Sequence, residues 1–171
     1  MVYGLDVLEN RTPVELAVAA AVVGSLLAVA VPAFIRNLSA SKLTEPVEGL
    51  DQIVTGAIAY AEGHPQELAF PPGAPLTPAE VPRATRAVDP PEAWEHLTWR
   101  SLQFRRDDPH AFSFQFDSVF DPAQQTFTFT ALAHGDLDGD GVLSTFEVRG
   151  EKRPGAPARA LPGLIVDSEV E

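Results

Sequence analysis

A run of 20 residues without a charged side chain, from Leu16 to Ile35, most constrains what this chain can fold into. Ser25 is its one hydroxyl-bearing residue. As an α-helix the run would be about 30 Å long, which matches the hydrocarbon thickness of a bilayer. A helix on the surface of a soluble domain would carry a polar face, and this run carries none. The sequence therefore predicts a transmembrane helix over residues 11–36.

The first ten residues bear on the alternative that this run is a cleaved secretory signal peptide. Such a peptide needs a basic start and a shorter apolar stretch. The segment before the run carries Asp6 and Glu9 and neither Lys nor Arg. We therefore favour an anchor that is retained, preceded by a leader-like segment over residues 1–10.

The residues around and within the run follow a recognisable order. A Thr–Glu pair opens it, a glycine follows nine residues after the glutamate, and a proline and an aromatic residue come near its end. These residues are Thr12, Glu15, Gly24, Pro32 and Phe34. In this order and spacing, about residues 11 to 60 resemble the amino-terminal helix of type IV pilins and of type II secretion pseudopilins.

The resemblance implies an α+β fold, in which a long N-terminal helix with a transmembrane half and an amphipathic half packs on a small antiparallel sheet, as a pilin-like lollipop. It implies partners in the membrane and in like or related pilin subunits, which assemble through this helix. Glu15 would neutralise the free amino terminus of a neighbouring subunit. The protein would lie in a bacterial inner membrane with its carboxyl-terminal domain outside the cytoplasm, in a surface or periplasmic filament.

The chain departs from the family where a pilin leader is cleaved. Asn10 and Arg11 stand where the family has Gly and Phe. We hypothesise that Arg11 replaces the missing free amine as the positive partner of Glu15, since the two are four residues apart. The alternative is an exposed interfacial arginine, and the sequence leaves both open.

Beyond the run, the pattern stays helical over residues 37–63. Apolar residues recur at spacings of three and four, Pro46 is expected to bend the helix, and Gly63 is expected to end it. Residues 64–171 are predicted to form the globular domain outside the membrane. Its first part is rich in proline, with a helical turn predicted at Thr77–Glu80 and a short helix opening at Asp89.

Alternating aromatic residues then indicate strands. Phe112, Phe114 and Phe116 alternate with polar residues. A second alternating stretch runs from Phe127 to Ala131, and Asp121–Gln125 is predicted to be the turn between the two. Such a period of two predicts an antiparallel pair with one buried face. Further strands are expected at Phe146–Arg149 and Leu164–Val166.

A twelve-residue segment, 136–147, has the spacing of the calcium loop of EF-hands. Asp136, Asp138 and Asp140 occupy the first, third and fifth positions, and Glu147 the twelfth. Gly141 permits the sharp turn, Val142 offers a backbone oxygen, and Ser144 can hold a water. The alternative is an Asp–Gly turn without a metal, but carboxylates packed this closely repel one another unless a cation lies among them. We therefore predict a structural calcium ion as the cofactor.

The composition excludes other classes of function. A net charge of -12 argues against binding to nucleic acid. The sequence carries no nucleophile elbow, zinc motif or phosphate loop, so an enzyme is not expected. Two functions remain: a structural pilin-like subunit stabilised by calcium, or a non-polymerising, membrane-tethered calcium-binding domain that binds a periplasmic or surface partner.

Overall fold

The computed structural model of the chain describes residues 12–64 and 69–167, and for residues 27 and 29–42 the backbone alone. Helix α1 spans Pro13–Gly63, and it ends at the glycine that the sequence indicates. Its start is a capping box. The backbone N–H of Thr12 donates to Oε2 of Glu15 at 2.9 Å, and the N–H of Glu15 donates to the Thr12 hydroxyl at 3.3 Å. Pro13 occupies the first helical position, where its missing N–H costs nothing.

The structure corrects the prediction of a transmembrane helix. A helix that crosses a membrane needs about 20 consecutive apolar residues. Within residues 12–64 and 69–167, no helix is both long and apolar enough to do so. The prediction of a transmembrane helix is therefore wrong, and the description of the chain as a pilin loses its support with it.

The predicted fold class is wrong for the same reason. A helix with a transmembrane half, packed on a small sheet, does not describe this chain. Contacts divide the chain into two compact units, Met1–Ser41 and Lys42–Glu171. The second unit is built around a mostly antiparallel sheet of six strands, larger than the sheet that was predicted.

The sheet is a meander with short strands at its margins. Neighbours follow the order β1-β2-β3-β4-β5, and β6 also pairs with β4. The strands are β1 Ala74–Thr77, β2 Phe112–Asp121, β3 Thr126–Gly135, β4 Ser144–Lys152, β5 Arg159–Ala160 and β6 Ile165–Asp167. The β2–β3 hairpin with its turn, the strand around Phe146 and the strand near Val166 confirm those expectations.

The core lies between one face of the sheet and the second half of α1. Phe112, Phe114 and Phe116 are fully buried, as their alternation predicts. On the helix, Leu50 and Ile53 are buried in the same cluster. A Cβ at Gly49 would overlap the ring of Phe114. The absence of a side chain at that position is therefore what lets the helix approach the sheet closely.

The segment between α1 and β2 differs from its prediction. Thr77 ends β1 instead of capping a helical turn, and its hydroxyl accepts a hydrogen bond from Nε1 of Trp99 at 2.9 Å. The predicted helix at Asp89 is two pieces, a 3₁₀ turn at Pro91–Trp94 and helix α2 at Leu97–Ser101. Trp94 and Trp99 are buried, whereas Leu97 is exposed.

Residues 83–87 form a short connection that we call the strap. Its ends make isolated bridges, a parallel one between Arg83 and Asp136 and an antiparallel one between Ala87 and His110. In its middle, Arg86 donates to Oε2 of Glu45 at 2.8 Å and to the carbonyl oxygen of Pro109 at 2.7 Å. The strap therefore contacts α1, the segment just before β2 and the loop after β3.

Candidate metal centre

The segment with the calcium-loop spacing connects β3 to β4. The two strands stay in register up to the pair Gly135 and Ser144, so the loop begins and ends at adjacent points of the sheet. Gly139 and Gly141 have φ angles of +84° and +92°, in the left-handed region that favours glycine. These two glycines let the chain reverse within a few residues.

Three of the predicted ligands meet in this loop. The carboxylates of Asp136, Asp138 and Asp140 offer oxygen atoms that all lie within 4.8 Å of one another. Asp136 is 1% exposed, and the other two lie at the surface. Ligand oxygens of calcium stand 2.3–2.6 Å from the ion, so oxygens at this mutual distance can share one ion.

Backbone N–H groups of the loop point at the carboxylates. Gly139 and Gly141 donate to Oδ1 and Oδ2 of Asp136 at 2.8 and 3.2 Å. Asp138 accepts from the N–H of Asp140 at 3.1 Å, and Asp140 accepts from that of Val142 at 2.6 Å. These bonds fix the carboxylates without consuming all of their lone pairs, because each carboxylate has about four acceptor sites.

The charge in the loop is poorly balanced by the protein itself. One ion pair reaches the three carboxylates within the described part of the chain, between Nε of Arg83 and Oδ2 of Asp136 at 3.8 Å. Three negative charges this close repel one another, and a divalent cation would remove that repulsion. The arrangement can hold a hard cation through oxygen ligands, and it offers no thiolate or imidazole for a softer metal.

The remaining predicted ligands contribute no carboxylate to this cluster. Val142 lies in the loop with its side chain exposed, while Ser144 is buried where β4 begins. Glu147 lies within β4, opposite Leu132, and its carboxylate contacts Arg149. In an EF-hand the twelfth residue sits in a helix that turns it inward. Here an extended strand follows the loop, and the described structure does not bring Glu147 into the cluster.

His134 lies just before the loop and plays another part. Its Nδ1 is 2.9 Å from the hydroxyl of Thr145 on the neighbouring strand. Burial lowers the pKa of His134, because a charged imidazolium would lose its hydration there. The residue therefore belongs to the β3–β4 pairing.

The residues predicted to act in assembly are placed as follows. Glu15 belongs to the capping box of α1, and a Cβ at Gly24 would meet no atom within 4 Å. Pro32 and Phe34 lie in α1, with side chains outside the described part, and Arg11 lies outside the described residues altogether. The predicted pairing of Arg11 with Glu15, and assembly through these residues, stay predictions.

Arg83 is the residue near the centre that sequence reasoning misses. It lies in the strap, far from the loop along the chain, and no spacing signal links it to Asp136. The nearest signal is indirect, since a buried first aspartate next to a sheet needs a positive partner.

Comparison of the chain with models of known families, with curated proteins and with solved structures finds no match. The function is therefore argued from the geometry of this loop.

Proposed function

We propose that this chain is a calcium-binding protein, in which one Ca²⁺ bound by the loop between β3 and β4 stabilises that end of the sheet. The observation that carries the proposal is the convergence of Asp136, Asp138 and Asp140, whose oxygens lie within 4.8 Å of one another. Their alternating positions, followed by Gly141, are those of a calcium loop.

Calcium fits the loop better than magnesium does. Calcium accepts six to eight oxygens in flexible geometry, so waters and the backbone oxygen of Val142 can complete a shell begun by three carboxylates. Magnesium demands a near-ideal octahedron and gives up its waters reluctantly. With Glu147 outside the cluster, the shell has fewer protein charges than a sensor EF-hand, and we expect a dissociation constant of about 10⁻⁴–10⁻³ M.

The role of the ion is structural. Anything that binds the folded chain and not the unfolded one stabilises the fold in proportion to the logarithm of its concentration over its dissociation constant. A calcium ion would join residues at the end of β3 to the turn before β4, and so hold the hairpin closed. Assembly of a filament through α1 and attachment to a partner stay predictions, for which the described contacts offer no support.

Thermal unfolding of the full-length chain tests the proposal. We expect the melting temperature to be several degrees higher in 5–10 mM CaCl₂ than in excess chelator. This calcium concentration is about five to a hundred times the expected dissociation constant. Asp138→Ala should lose this rise. Asp51→Ala, which removes an exposed carboxylate on α1, should keep it. Equal melting temperatures with calcium and with chelator in the unmodified chain would reject the proposal.

A further inference from the structure

We infer that Arg83 competes with the calcium ion for the carboxylate of Asp136. In the metal-free protein the guanidinium of Arg83 is the counter-charge of Asp136, and calcium must break this ion pair to bind. The inference rests on the proposed function and adds a regulator of the same site. What carries it is a cationic group from a separate segment of the chain that already lies against the most buried carboxylate of the loop.

The two partners differ sharply in their exposure. The Asp136 side chain is 0% exposed and that of Arg83 is 74% exposed. A buried carboxylate is costly without a positive partner, whereas Asp138 and Asp140 lie at the surface, where water solvates their charge. Asp136 is therefore the ligand whose charge most needs a partner when no metal is bound.

The backbone holds Arg83 in this place. The N–H of Ala84 donates to the carbonyl oxygen of Asp136 at 2.9 Å, and Arg83 makes the parallel bridge to the same residue. Ala84 has a φ of +48°, a left-handed conformation that costs a non-glycine residue free energy. The strap thus keeps the guanidinium close to Asp136 in spite of a strained residue beside it.

The fit between strap and loop is close on a second side. A Cβ on Gly139 would come within 3.0 Å of the Cβ of Ala84. The backbone of the strap beside Arg83 therefore packs closely against the loop. A divalent ion bound to Asp136 would lie within a few ångströms of a guanidinium, and the two positive charges repel each other.

Competition has two consequences that can be measured. Removing the charge of Arg83 should raise the affinity for calcium by about three- to tenfold, the range of a partly buried charge interaction acting on a binding equilibrium. The same change should lower the melting temperature of the metal-free protein, which loses the counter-charge, and should leave that of the calcium-saturated protein almost unchanged.

Calorimetric titration of the full-length chain with CaCl₂ alone tests the inference, using the unmodified protein, Arg83→Gln and Arg105→Gln. Arg105 is an exposed arginine paired with Asp107, so its variant changes the net charge equally without touching the loop. We expect tighter binding in Arg83→Gln and an unchanged constant in Arg105→Gln. Equal affinities in all three proteins, or weaker binding in Arg83→Gln, would overturn the role of Arg83 and leave the calcium site standing.

Two further outcomes distinguish a failure of this inference from a failure of the proposed calcium-binding function. Binding that is too weak to detect at millimolar calcium in all three proteins would overturn both the proposed function and the competition. An equal gain of affinity in both arginine variants would assign the effect to net charge, which also overturns the role of Arg83. Melting of Arg83→Gln in chelator and in calcium shows that the variant is folded and measures the second consequence independently.

Discussion

Oε1 of Glu45 in α1 lies 2.7 Å from the backbone nitrogen of Ala111, a residue 66 positions further along the chain. The same oxygen accepts the N–H of Phe112 at 3.1 Å, and Oε2 accepts from Arg86 at 2.8 Å. Glu45 is 8% exposed. One carboxylate therefore satisfies the backbone where β2 begins and binds the strap to the helix.

Removing this carboxylate is expected to be among the most destabilising single changes in the chain. Glu45→Ala leaves two buried N–H groups without their acceptor and removes the carboxylate partner of Arg86, and we expect a loss of about 2–4 kcal/mol in the free energy of unfolding. Urea denaturation measures it. Glu48→Ala, at an exposed position on the same helix, is the control. Equal stabilities of the two variants would show that Glu45 contributes no more than a surface residue.

Glu147 and Asp136 are expected to contribute very differently to calcium binding. Because the Glu147 carboxylate lies on β4 and contacts Arg149, Glu147→Gln should change the calcium dissociation constant by less than about twofold. Asp136→Asn removes a charged ligand at the centre of the cluster and should weaken binding by at least about tenfold. Titration with CaCl₂ compares them. A large loss in Glu147→Gln would show that the glutamate moves into the loop when the ion binds.

Glu151 should make the stability of the folded protein depend on pH in the acidic range. The hydrogen bond from Arg159 lowers the pKa of Glu151 below its usual value near 4.5, with further lowering from Arg153. A carboxylate with a depressed pKa in the folded state stabilises the protein above the pKa of the unfolded state, and the stabilisation disappears as the pH falls through the folded-state value. Its contribution should therefore be complete well above about pH 4.5 and should be lost as the pH falls from there through the lower pKa of the folded state.

Melting curves of the unmodified protein and Glu151→Gln between pH 3 and pH 7 test this dependence. The variant should melt a few degrees lower at pH 7, and the two curves should converge in acid. Arg105 offers a comparison, because its exposed pair with Asp107 should give a much smaller difference in Arg105→Gln. A gap between the proteins that stays constant down to pH 3 would contradict the assignment.

Gly56 is expected to tolerate no side chain. A Cβ there would overlap the backbone carbonyl oxygen of Leu102, just after α2. Gly56→Ala must push these two segments apart, and we expect a loss of about 1–3 kcal/mol. Gly24→Ala is the matched control, since its Cβ would meet no atom within 4 Å. If the denaturation midpoints of the two variants agree, α1 does not need the close approach.

The regular parts of the sheet were predictable because their signals are local. The alternation of Phe112, Phe114 and Phe116 reports a period of two directly, and the end of α1 at Gly63 follows from the low helix propensity of glycine. The segment between them was not predictable in the same way. Thr77 has the residue type of a helix cap, yet it pairs in β1 and accepts a bond from Trp99, a contact that no local pattern encodes.

The same distinction between local signals and contacts distant in sequence applies to the candidate site. The alternating aspartates could be found by spacing alone, because consecutive residues of one loop build that part. The contact of Arg83 could not be found in this way, because it depends on where the strap lies. The placement of Glu147 could not be found either, because it depends on whether a helix or a strand follows the loop. The transmembrane helix was predicted wrongly because the prediction rested mainly on hydropathy. The resemblance to pilins supported the same prediction.

The register of the meander has a consequence for the order in which this chain folds. β2, β3 and β4 pair with strands next to them in sequence, whereas Glu45 and the strap bring together segments far apart along the chain. Closing short loops is fast and closing long ones is slow. We expect the two hairpins to form before the rate-limiting step and the helix to dock after it. Substitutions at Phe129 should then slow folding, and Glu45→Ala should chiefly speed unfolding.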